Sequence, residues 1–260
     1  RKDFIATDGA SDETETAFVE RYWTDVWDRE GGPKGAYDKI PGKAEYRIMA
    51  PYIDRLPEGA KLLDGGCGLG DWTVYFSRNG HPTTGLDISR ETVAKLKELF
   101  PDVDFAVGDI RRTGLASASI DGYFSWGVFE HFEGGLKPCV DEAWRLLKPG
   151  GYLFVSVPMD NLRHALGGAI TGVSEPSPGA RFYQWRLTRA EHARELSIVG
   201  FDVLKVVPIH KRQGVLRALH HGLGLHFDWF FTRALSAVLA PFVPGLLIAH
   251  MILAVARKPE

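Results

Sequence analysis

"KLLDGGCGLGDW" (residues 61–72) runs from a short apolar stretch through Asp64 into four glycines and then turns polar. An apolar run that stops at glycines reads as a buried strand, and the periodic "DWTVYFSRNG" (71–80) after it reads as a helix. Strand, bare loop and helix N-terminus together form a nucleotide-type site. Glycines turn tightly and expose backbone N–H groups, and the helix end favours negative charge. A tight turn without a ligand would look the same by glycine spacing alone. The spacing is nevertheless informative. Gly66, Gly68 and Gly70 make G-x-G-x-G, whereas a dinucleotide loop of the G-x-G-x-x-G type would need glycine at 71, which is Asp. Asp64 would also repel a pyrophosphate, and suits a ligand carrying an ammonium group.

Working outward, strand-like and helix-like stretches alternate. "HPTTGLD" (81–87), "VDFAVGD" (103–109), the start of "IDGYFSWGVFEHF" (120–132) and "YLFVSVP" (152–158) read as strands. "SRETVAKLKELFP" (89–101) and "LKPCVDEAWRLLKPGG" (136–151) read as helices between them. "FDVLKVVPI" (201–209) and "HMILAVARK" (250–258) close the count at seven strands, and "LTRAEHARELSIVG" (187–200) is a helix capped by Thr188 with Glu191. The expected fold is α/β, a Rossmann-like seven-stranded, mostly parallel sheet with helices on both faces. Two helical segments (12–30, with an Asp12/Glu15 capping box, and 42–56) precede it, and an apolar helical insertion (211–248) sits before the last strand. The expected division is a disordered tail over 1–11 and a single domain over 12–260, with a helical cap (12–56), a core (61–210 and 250–258) and the insertion.

The 260 residues carry a net charge of −2, and no basic excess points to nucleic acid. Cys67 and Cys139 suggest neither a disulfide framework nor a metal site, which suits a reducing cytoplasm. "RKDFIATDGASDETE" (1–15) has no apolar core of the signal-peptide type.

The ordered motifs "LLDGGCGLG", "TGLDIS", "FAVGDI", "IDGYFSWGVFEHF" and "LLKPGGYLFVSVP" resemble those of class I S-adenosylmethionine-dependent methyltransferases. The resemblance covers roughly 45–210 and 250–258. It implies S-adenosylmethionine as cofactor, held by Asp64, Gly66, Gly68 and Gly70 at the loop, Asp87 and Ile88 at the ribose, and Asp109 and Ile110 at the adenine. Ser125 and Trp126 would border the methionine portion. Each role has a physical basis, since a carboxylate accepts well from paired hydroxyls or an amino group. The implied function is methyl transfer to a small molecule or glycan, at oxygen or nitrogen. A cofactor-binding scaffold without acceptor chemistry and a nicotinamide oxidoreductase are the competing readings. Cys67 reads as a small filler of the loop rather than a nucleophile.

On the acceptor side, His131 in "FEHF" is the candidate general base or a loop-packing histidine, and Tyr37 is its candidate partner or a structural residue. In "ARFYQWRLT" (180–188), Tyr183 and Arg186 are candidate substrate residues; the same stretch would also serve as a staple on the following helix. Residues 214–248 are apolar, but Pro241, Pro244 and Gly245 rule out a spanning helix. They cover the core, meet a second copy in a homodimer, or lie on the inner face of a membrane with Arg217, His220 and His221 at the headgroups and Trp229, Phe230 and Phe231 dipping in.

Overall fold

A computed structural model of the chain describes residues 1–6, 13–164 and 179–260. Its main sheet contains β2 (Leu62–Gly65), β3 (Thr83–Asp87), β4 (Asp104–Val107), β5 (Ile120–Trp126), β6 (Leu147–Pro158), β8 (Asp202–Ile209) and β9 (Met251–Arg257). The order is β4-β3-β2-β5-β6-β9-β8, with β9 antiparallel to both neighbours and every other pairing parallel. All seven expected strands are present. Lys148 to Gly151, read as the end of a helix, instead open β6, because Leu147 already pairs with Ile120.

Both faces of the sheet are covered, and the two-residue period of the strands assigns each side chain. Leu63, Tyr123, Leu153 and Val155 point toward α5 (Lys137–Leu146) and α6 (Arg189–Val199). Their neighbours Leu62, Phe124, Phe154 and Val255 meet α2 (Ala44–Ile53) and α3 (Asp71–Arg78). Farther along, α4 (Arg90–Leu99) packs Val93 and Leu96 against Phe105 of β4. Start signals hold where side chains bond the backbone. Thr188 and Glu191 form a reciprocal capping box on α6, and Ser89 caps α4. The cap of α1 (Glu15–Arg29) is Thr14, which accepts from the Ala17 N–H, and not the expected Asp12; Asp12 itself lies outside the described residues.

The expected tail also needs correction. Residues 2–6 form β1 (Lys2–Ala6), which pairs antiparallel with β7 (Ala180–Trp185) in a separate two-stranded sheet. The physical cause is a polar–aromatic clamp. Asp3 Oδ2 accepts from Arg186 Nε at 2.6 Å and from Gln184 Nε2 at 2.9 Å, while Phe4 packs edge-on to Phe182. Residues 7–11 of that call lie outside the described residues, as does most of the Pro/Gly-rich stretch 167–180.

The insertion is helical, as expected: α7 (Lys211–Leu223), α8 (Phe230–Leu239) and a single turn, α9 (Gly245–Ile248). It builds a small core of its own from Val215, Leu219, Ala240 and Ile248. Among the described residues, no helix is long and apolar enough to cross a membrane. The insertion is seated by one close backbone approach, because a methyl group at Gly214 would overlap the carbonyl oxygen of Ile248. Gly214→Ala is therefore expected to destabilise the fold by about 1–3 kcal/mol, the usual cost of overpacking. A thermal melt several degrees below the parent would register it, and an unchanged melt would contradict this seating.

Candidate active site

At the carboxyl edge of the parallel strands lies a cavity of about 330 Å³, within the usual range for small-ligand sites. Its floor is the loop after β2. Gly66, Gly68 and Gly70 adopt left-handed φ of 79°, 51° and 77°, which residues with a Cβ rarely tolerate. Gly66 and Cys67 donate N–H bonds to the Leu86 carbonyl, so the loop wraps around the end of β3. Close approach matters as well as φ. A Cβ on Gly68 would sit 2.8 Å from the Trp27 ring, and one on Gly66 2.5 Å from Val128.

Two carboxylates sit beneath this loop, and both are buried. Asp87 accepts from the Gly68 N–H at 2.8 Å and the Ser89 N–H at 2.9 Å. Burial raises its pKa, and those backbone donors counter the rise. Asp64 accepts from the Thr73 hydroxyl at 2.8 Å, and the Thr73 backbone N–H also counters its burial. Burial, aided by the charge of Asp87, pushes Asp64 up to about 7. Cys67 in the loop is pushed well above the usual thiol range by burial, which makes it an inert filler.

The roof comes from α1, which supplies Val19, Trp23 and Trp27. The two indoles stack at 5.1 Å, and Trp23 meets the His131 ring edge-on at 4.9 Å. Ile88, Asp109, Ile110 and Trp126 complete the walls. Asp109 lines the cavity, but its carboxylate is shared. Arg111 Nε and Nη2 both donate to it, and the same guanidinium reaches Glu15 and lies over the Phe132 ring.

Three expected residues lie elsewhere. Ser125 donates its buried hydroxyl to the Gly65 carbonyl at 2.6 Å and does not line the cavity, so its role is to tie β5 to β2. Tyr37 accepts from Arg78 Nη1 at 2.8 Å and packs on Phe100, away from His131. The aromatic partners of His131 are instead Trp23 and Tyr183. Arg186 lines a different cavity, described below. Tyr183 touches the site indirectly: its carbonyl oxygen lies 2.7 Å from His131 Nδ1, and its hydroxyl pairs with Tyr22. The roof indoles were missed by the sequence reading. The signal was available, since Trp23 and Trp27 are four residues apart on one helical face.

His131 is buried at the rim. Burial lowers its pKa to about 4 against the opposing effect of two carbonyls, those of Tyr183 and Gly127. It is therefore neutral near physiological pH, with Nδ1 carrying the hydrogen toward Tyr183. Its neighbour Glu130 is pushed by burial up to about 8 and is protonated there.

This donor set fits S-adenosylmethionine. Two buried carboxylates favour a cationic zwitterion over a pyrophosphate, and the buried indole N–H groups of Trp27 and Trp126 have no partner among the described residues. Aromatic faces also suit a sulfonium.

Comparison with known proteins agrees. Residues 63–155 match the family model described as a methyltransferase domain. The chain is 29% identical over 192 residues to a "Probable S-adenosylmethionine-dependent methyltransferase" of Mycolicibacterium smegmatis, covering 70% of this chain and 71% of that one. A 2-methyl-6-phytyl-1,4-hydroquinone methyltransferase of Synechocystis sp. is 34% identical over 152 residues, which is 55% of this chain and 48% of the relative. The matched region thus spans about half of that relative's length. Among solved structures, a phosphoethanolamine N-methyltransferase of Haemonchus contortus with bound S-adenosylhomocysteine superposes with a TM-score of 0.62 at 16% identity. That match covers 95% of this chain and 61% of the other, and it speaks to the fold alone.

A cation arriving beside Asp64 must displace its proton whenever the free site holds one. Below about pH 7 the free carboxyl is protonated, so affinity for S-adenosylmethionine should fall by up to about tenfold per pH unit as pH drops. Calorimetry near pH 7 in buffers of different ionisation enthalpy should register proton release on binding. Binding without proton release would remove Asp64 from contact with the charged end.

Proposed function

Since this chain belongs to the class I S-adenosylmethionine-dependent methyltransferases, we propose that it methylates an oxygen or nitrogen of a small molecule or glycan. The observation that carries this reading is the buried carboxylate pair under an aromatic roof, with His131 at its rim. S-adenosylmethionine, when bound, supplies a methyl carbon already activated by its sulfonium.

The protein's part is to bind, align and exclude water. Asp64 holds the ammonium end. Asp87 and Ile88 hold the ribose, the second lone pair of each Asp87 oxygen being left for its hydroxyls. Ile110 lies along the adenine, and Asp109, already half-satisfied by Arg111, reads its amino group. Trp126, Trp23 and Trp27 present faces to the positive charge. His131 orients the acceptor. A histidine held near 4 is a weak base, so the rim suits a nucleophile that needs little help: an amine, a carboxylate or a readily ionised hydroxyl.

The insertion supports a second element of this reading, contact with a membrane surface. Its outward side carries Phe230 and Phe242, 87% and 82% exposed, together with Trp229 and Phe231. Exposed aromatics on one element suit an interaction surface, and the same insertion carries Lys211 and Arg212 on α7 and Arg233 on α8. Arg217 and His220, expected at the headgroups, serve other ends. Arg217 lines an internal cavity, and the His220 ring stacks on Phe227 at 4.0 Å.

Methyl-labelled S-adenosylmethionine incubated with quinol, amine and glycan fractions tests the reaction. Label should appear in an O- or N-methyl product, whereas cofactor binding with no transfer to any fraction would favour a scaffold. On the acceptor so found, His131→Ala should lower kcat by about a hundredfold, the usual cost of a misplaced reactant, with cofactor affinity preserved. Parent-like turnover would assign His131 to packing. For the insertion, Phe230→Ser with Phe242→Ser should abolish co-sedimentation with anionic liposomes. A parent protein that stays in the supernatant, and dimerises instead, would overturn the membrane contact.

A further inference from the structure

A second, smaller cavity of about 90 Å³ lies where β6, β9 and α7 meet. Water in the liquid occupies about 30 Å³, so the space suits a group of a few heavy atoms. Its lining carries three arginines and three histidines: Arg163 and His164 after β6, Arg186 after β7, Arg217 and His221 on α7, and His250 before β9. Among the described residues, Arg186 pairs with Asp3 at 2.6 Å and His164 Nδ1 lies 3.7 Å from Asp160. Among the described residues, neither Arg163 nor Arg217 has a carboxylate within ion-pair distance. Within that same set, Arg163 Nη2 lies 3.3 Å from His164 Nε2, and Arg163 Nε and His164 Nδ1 are buried without a hydrogen-bond partner.

We propose that this cavity is an anion subsite that holds a phosphate-type group, contributed by guanidinium groups from three separate elements. Guanidinium matches the geometry of tetrahedral oxyanions, and two unpaired arginines balance the charge of a phosphate dianion. The free protein bears the strain of the arrangement. Burial and then the neighbouring arginines lower the pKa values of Arg163, Arg217, His164 and His250. His164, at about 4, and His250, at about 3, are neutral near physiological pH, and the buried guanidinium groups that remain charged are costly unless something negative joins them.

Its position gives the subsite a use. Arg186 lies three residues beyond Tyr183, whose carbonyl oxygen is 2.7 Å from His131 Nδ1 at the rim of the donor cavity. The anion would therefore be the charged end of the acceptor, with the methylated atom toward His131. That assignment rests on the methyl-transfer reading, but the anion site itself does not.

The test uses the full chain and inorganic phosphate and pyrophosphate at constant ionic strength near neutral pH. Calorimetry should show saturable binding. Arg217→Gln and Arg163→Gln should each weaken it by about tenfold or more, the usual effect of losing a charge-assisted contact, with S-adenosylmethionine affinity unchanged. In phosphate-free buffer, Arg217→Gln should melt higher than the parent, because one repelling cation is gone. Phosphatidylcholine vesicles with and without phosphatidic acid identify the source. Vesicle binding lost in Arg217→Gln indicates a lipid headgroup, and vesicle binding unaffected by it, with phosphate binding still lost, indicates a phosphorylated solute. Absence of saturable phosphate binding, or equal binding by parent and both variants, overturns the proposal, and cofactor binding in the same samples keeps the methyltransferase reading separate.

Discussion

One carboxylate organises the donor half of this molecule. Asp87 ends β3 and accepts one N–H from the glycine loop and one from the cap of α4, so a single side chain fixes three elements. The loop can reach it only because its glycines take left-handed conformations. Once the loop is fixed, Asp64 is trapped under it with fewer donors, and the two acids share one desolvated space. The contrast between them is one of hydrogen bonding. Asp87 has backbone donors against its burial, whereas Asp64 has chiefly Thr73 and is left titrating near 7. A site that stores this much unbalanced negative charge is built to receive a positive ligand.

Seven strands and their helices were legible because each apolar run ends at a glycine, proline or capping residue, and because a parallel sheet buries both faces of its strands. The two-stranded β1–β7 sheet was not legible. Its strands lie about 180 residues apart, and its specificity rests on Asp3 meeting Arg186, a pairing with no local signature. The donor motif located Asp64, Asp87, Asp109 and Trp126 at the cavity, since loop and strand ends sit in fixed relation to the sheet. It misplaced Ser125 by one residue of the strand period. Adjacent residues on β5 face opposite sides, and Ser125 turns to the Gly65 carbonyl while Trp126 turns to the cavity. Tyr37 failed as a partner of His131 for another reason: its place is set by tertiary contacts with Arg78 and Phe100 that leave no local signature.

The near-neutral net charge conceals a polarised edge. Acidic groups gather at the ends of β2 and β3, and cationic groups gather beyond β6 and β9. Neutral His131 and protonated Glu130 stand between them. A cationic donor and an anionic acceptor would each be drawn to the proper side, and a swapped arrangement would be repelled at both ends.

Access to the donor side then depends on α1. This helix roofs the cavity, yet only Phe18 and Val19 of its side chains are buried. Its other ties are aromatic, Trp23 to His131 and Tyr22 to Tyr183, and polar, Lys95 to Asp28, Arg111 to Glu15 and the Thr24 hydroxyl to Ser89. Exposed ion pairs contribute about 0–1 kcal/mol each, far less than the strand core beneath. Trp27 meanwhile rests directly on Gly68, where the ligand's charged end must pass close to the backbone. The helix that covers the cavity is therefore anchored by few fully buried side chains and closes over the site with its aromatic face, while the sheet beneath it sets the alignment.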